Sequence, residues 1–151
     1  MMRLSRNTQF ALKSAATFGL LGLALASVIV FSLSKVSDTW TIVLSAGAAS
    51  FVVAYVLWRI LCPADQPSSV RQGIIAGALT GLLAHPVTWY LAIALNYILR
   101  HPTFPDKPPL DPITGVYASF VYAFFSLFLT GWLTVPAGAI AGWLLTRTRR
   151  K

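Results

Sequence analysis

Four long apolar runs alternate with short polar segments along the chain, at about 14–34, 40–61, 72–99 and 114–146. Each run has enough consecutive apolar residues to cross the roughly 30 Å hydrocarbon layer of a bilayer as an α-helix. The pattern predicts an all-α polytopic membrane protein, with four transmembrane helices in a compact bundle and a single domain over residues 1–151.

The polar segments predict the connections. Residues 1–13 read as a basic tail, Ser34 to Thr39 as a short hydrophilic link, and Cys62 to Val70, with Pro63 and Pro67, as a turn. Arg100 to Pro112 carries prolines at 102, 105, 108, 109 and 112. That density favours a stiff, extended, solvent-exposed path, which serves as a connector or as a docking surface for a partner. Ala24-Leu25-Ala26 resembles a signal-peptidase site, but the apolar run continues through Val28, Ile29, Val30 and Phe31, which suits an uncleaved first helix. Trp40 and Trp58 sit near the two ends of the second run as interfacial aromatics do, and Arg59 can extend its guanidinium outward. The fourth run, about 50 Å long as one helix, must tilt, project or bend, with Gly131 and Pro136 as the bending points.

The third run holds the one ionisable side chain placed deep in an apolar stretch. His85 lies 14 residues from Arg71 and 15 from Arg100, so a spanning helix carries this imidazole to the membrane midplane. At 100° per residue, Ala78, Gly81, Thr88, Ala92 and Asn96 fall within about 60° of it, whereas Leu79, Leu83, Val87, Tyr90 and Tyr97 lie opposite. The small, polar side is the one another helix approaches. In the fourth run Ser119, Tyr122, Ser126, Thr130 and Ala137 make a matching stripe, and Ser126 and Thr130 reach the depth of His85 from an antiparallel neighbour, as its expected hydrogen-bond partners within the chain. The candidate intramembrane polar site is therefore His85, Thr88, Asn96, Ser126 and Thr130. Gly73, Gly77 and Gly81 form a GxxxGxxxG ladder of the glycine-zipper kind, and with Gly138 and Gly142 they are the expected helix-packing residues. Pro86 leaves the carbonyl of Leu82 without its helical donor, and the His85 ring can help accommodate the resulting kink.

Composition agrees with this pattern. The chain is 56% hydrophobic and 11% charged, with a mean hydropathy of +0.70, too few charges to cover a water-soluble surface. The net charge of +8 comes from residues that flank the apolar runs, not from one basic face, which argues against nucleic acid as a partner. Of the 12 Lys and Arg residues, nine fall on the side of the two termini and three (Lys35, Arg100 and Lys107) on the other. By the positive-inside rule both termini are cytoplasmic, in a plasma or inner membrane, and the Pro-rich loop faces outward.

Candidate chemistry is sparse. Glu is absent, and the four acids are Asp38, Asp65, Asp106 and Asp111, all in connections, so a metal site or an intramembrane carboxylate is hard to build. His85 and His101, about 24 Å apart on one helix, cannot ligate one haem within a subunit. Cys62 is the single cysteine, which excludes an intrachain disulfide. We therefore expect no catalytic residues, no metal and no cofactor. The expected partners are the lipid bilayer and other membrane helices, in a homo- or hetero-oligomer. The expected role is a non-enzymatic accessory subunit or an assembly or scaffold component. The alternative is a small oligomeric channel or carrier with a polar path around His85.

Overall fold

The computed structural model describes residues 6–33, 40–63, 69–101 and 108–149, which are helical apart from short segments flanking the helices. Four α-helices follow in order: α1 Arg6–Leu33, α2 Trp40–Leu61, α3 Val70–Ile98 and α4 Pro112–Arg149. Each is long and apolar enough to cross a membrane.

Local sequence accounts for the helix ends. Ser69 caps α3 in a reciprocal box: its Oγ accepts from Gln72 N at 3.1 Å, and Gln72 Oε1 accepts from Ser69 N at 2.7 Å. Asp111 caps α4, its Oδ1 accepting from the backbone N–H groups of Ile113 and Thr114, each at 3.0 Å. Pro112 follows as the first helical residue, where its missing N–H costs no helical bond. Those donated bonds, first of all from Thr114, hold the Asp111 carboxyl below the usual carboxylate range. At the far end of α3, Arg100 takes a left-handed φ of 55°, and His101 N donates back to Asn96 O at 2.9 Å.

Two expectations are corrected. Helix α1 begins at Arg6, so much of the segment read as a basic tail is helical, because Phe10 and Ala11 pack into the core there. Trp58 is not an interfacial aromatic but is fully buried, with Phe10 edge-on at 5.5 Å and Phe18 at 6.1 Å between ring centroids. The periodicity of an apolar helix does not separate a lipid-facing ring from a core ring. Trp40 is exposed, and Arg59 reaches outward with its Nη1 donating to the Tyr55 hydroxyl at 3.3 Å. Helix α4 is one continuous helix of 38 residues, about 57 Å, with Gly131 and Pro136 both internal. Of the Pro-rich loop expected from Arg100 to Pro112, residues 108–111 are non-helical and Pro112 opens α4, which leaves 102–107; the link Ser34 to Thr39 covers 34–39. Both lie outside the described residues, as do Asp38, Asp65 and Asp106.

Packing follows chain order: α1 against α2, α2 against α3, α3 against α4, with little direct contact between α1 and α4. The α1/α2 pair closes where a Cβ on Gly22 would stand 2.9 Å from Ala46 O and one on Gly47 2.7 Å from Leu23 Cδ2. The main apolar core lies at the end of the bundle that holds the start of α1 and the end of α2, with Ala11, Ala15, Phe18, Ala54, Cys62 and Ala76 around Trp58. Two polar groups buried at that end, Trp58 Nε1 and Ser14 Oγ, have no hydrogen-bond partner among the described residues.

Candidate functional site

The α3/α4 pair sets the site, and glycine sets the pair. A Cβ on Gly77 would meet Gly138 O and stand 2.8 Å from its carbonyl carbon. One on Gly73 would stand 2.7 Å from Gly142 O, and one on Gly81 2.6 Å from Thr134 O. Each turn forward on α3 is thus one turn back on α4, as antiparallel helices in backbone contact require. One further turn sets His85 opposite Thr130, flanked by Ser126 and Thr134.

His85 bridges those two flanking hydroxyls. Its Nδ1 lies 2.6 Å from Ser126 Oγ and its Nε2 2.9 Å from Thr134 Oγ1. Thr130, directly opposite, does not bond the ring, because its hydroxyl donates to Ser126 O of its own helix at 2.8 Å. The second partner is therefore Thr134 where sequence reasoning named Thr130. The signal was present as a four-residue recurrence, Ser126, Thr130, Thr134, since a ring facing the middle member can reach both outer ones.

A cavity of about 270 Å³ lies between all four helices and joins these residues. Its α3 and α4 walls include His85, Thr88, Ser126, Thr130 and Thr134, and its α1 wall is formed by apolar groups such as Leu21, Leu25 and Ile29. Four of the five expected polar residues thus come together. Asn96 does not line the cavity. Trp89, tilted against Tyr122 at 5.1 Å, stands one turn beyond His85. The contribution of α1 was not legible in the sequence, since its cavity residues differ in no way from those facing lipid.

Ser126 and His85 are spaced like a nucleophile and its base, but Ser126 lies in the middle of α4, where backbone N–H groups are spent on the helix. No oxyanion site is then at hand. Nor is any group of three or more His, Cys, Asp or Glu placed to hold a metal ion among the described residues. The neighbouring hydroxyls of Thr80 and Thr130 are spent on carbonyls of their own helices, Ala76 O and Ser126 O. Comparison of the chain with protein-family models, with curated proteins and with solved structures returned no match.

Proposed function

We propose that this chain is a four-span integral membrane protein, with both termini cytoplasmic, that acts as a non-enzymatic accessory or assembly component through its outer surface. The observation that carries the reading is the contrast between the two sides of α4. Its inner side is committed to α3 by backbone contact and by the bridged histidine. Its outer side exposes Tyr117, Phe120, Phe124, Phe128 and Trp132 along one stripe. Large aromatic side chains on an apolar helix offer contact area to a partner helix at small entropic cost. The nine-to-three distribution of basic residues supports the cytoplasmic placement of the termini.

The test is the mass of the complex extracted in mild detergent, with its components identified. The expected result is a defined complex with another membrane protein, lost when Phe124 and Phe128 are both changed to alanine. A chain that runs alone, or whose complex ignores those substitutions, would overturn the reading.

A channel or carrier is the second reading, and the cavity beside His85 is the observation that favours it. Solute flux in liposomes that falls on His85→Ala would establish it. The apolar α1 wall weighs against a hydrated path through one chain, because that side offers water few hydrogen-bond partners.

A further inference from the structure

We infer that the cavity between the four helices is a binding site for a neutral lipophile that carries a single oxygen acceptor at its inner end. The inference rests on membrane insertion, which supplies the route of entry.

Size comes first. A 150 Å³ apolar cavity accepts benzene, so 270 Å³ suits a buried portion of roughly ten to twelve heavy atoms. Polarity comes second. The wall contributed by α1 is hydrocarbon, and no Lys, Arg, Asp or Glu among the described residues lines the cavity, so an ionic headgroup would be left unpaired at mid-depth. A neutral, largely hydrocarbon ligand meets neither penalty.

Hydrogen-bond arithmetic defines the inner end. A neutral imidazole has one N–H and one bare nitrogen, and both nitrogens of His85 are engaged. In either tautomer one of the two hydroxyls gives its proton to the ring and the other receives the ring's proton. The receiving hydroxyl keeps its own O–H. That proton can go to a carbonyl of α4, as serine and threonine hydroxyls do in helices, or to an acceptor entering the cavity. A ligand carbonyl or hydroxyl oxygen matches this donor, whereas a plain alkane does not. Access is the last element. The cavity is not sealed, and α1 and α4 touch little, so the route we assign to a molecule dissolved in the bilayer runs laterally between them.

The experiment uses the full chain in phosphatidylcholine nanodiscs and, as probe, decan-1-ol with a diazirine near its hydroxyl end, with adducts mapped by mass spectrometry after photolysis. The expected result is labelling on Leu25, Ala84, Thr88 or Trp89 that saturates and is displaced by unlabelled decan-1-ol. Decane should compete about fivefold less well, the worth of one neutral hydrogen bond. Ser126→Ala combined with Thr134→Val should abolish that preference; where this variant does not fold, the wild-type competition alone decides. Labelling confined to Phe124, Phe128 and Trp132, or indifferent to competition, would overturn the inference. Decane competing equally would also overturn it and mark the occupant as a plain acyl tail of the bilayer. Release of the chain from native membranes by alkaline carbonate overturns both this inference and the membrane reading, whereas the labelling pattern bears on this inference alone.

Discussion

Replacing Gly77 by alanine adds one methyl group where α3 and α4 touch backbone to backbone. The new Cβ would meet Gly138 O, stand 2.8 Å from Gly138 C and 3.2 Å from Gly142 Cα. Carbon pairs settle at 3.5 Å or more, so the helix axes must part by about 0.7 Å, enough to forfeit a quarter to a half of each neighbouring contact. No side chain can swing aside, since the obstructing atoms are backbone. Overpacking of this kind costs about 1–3 kcal/mol. Alanine's helix propensity offsets about 0.8–1.0 kcal/mol of that. Because the obstructing atoms are backbone, the cost falls in the upper part of that range, about 2–3 kcal/mol, and the expected net loss is about 1–2 kcal/mol. Gly131→Ala is the matched control, because its Cβ would meet only Leu127, at 3.3 Å from the flexible end of that side chain. There the propensity gain should dominate, stabilising by about 0.5–1 kcal/mol. Reversible unfolding in mixed detergent micelles, followed by circular dichroism, reads both. Two substitutions of the same kind on the same helix pair should move in opposite directions. Equal signs, or a Gly77→Ala protein as stable as the parent, would refute the backbone-contact reasoning.

Three further outcomes follow from other parts of the molecule. Thr134→Val leaves an imidazole nitrogen of His85 without its partner and should destabilise by about 1–2 kcal/mol, whereas Thr130→Val, whose hydroxyl serves its own helix, should stay within about 0.5 kcal/mol in the same unfolding assay. Ser14→Ala removes a buried, unpartnered hydroxyl and should stabilise by about 1 kcal/mol, while Trp58→Ala should cost about 3–5 kcal/mol by emptying the core; a destabilising Ser14→Ala would mean that this hydroxyl has a partner. The Asp111 carboxyl is depressed in the folded chain, so its contribution at the start of α4 is complete above the unfolded carboxylate pKa and fades as pH falls through the folded one. Amide exchange at Ile113 and Thr114 should therefore gain an acid-induced opening that Asp111→Asn, which keeps a capping oxygen without the charge, does not show.

Much of this architecture is readable from residue order because the apolar runs exceed what a soluble helix needs. The Gly73, Gly77, Gly81 ladder is legible for the same reason: spacing by four puts small residues in one line, and only a close neighbour exploits a line without side chains. The place of His85 near the middle of α3 follows from the two flanking arginines. The exchange of Thr130 for Thr134 was legible only as a four-residue recurrence of hydroxyls, since which of them bonds the ring turns on whether a threonine hydroxyl spends itself on its own helix. Trp58 was misplaced because a tryptophan near the end of an apolar run fits an interface and a core equally well by position. The cavity could not be anticipated at all. It lies between all four helices, where α1 and α4 touch little, and no local pattern encodes the space between elements distant in sequence.

The account stands on four membrane crossings with the termini on the cytoplasmic side. Cysteine accessibility tests it most directly, since Cys62 is the one native thiol and is buried. In a Cys62→Ser background, His101→Cys and Thr148→Cys place single thiols at exposed positions near opposite ends of the bundle. A membrane-impermeant maleimide applied to intact cells should label His101→Cys directly and Thr148→Cys only after permeabilisation. Labelling of both positions from the same side, or of Thr148→Cys alone in intact cells, would contradict the account.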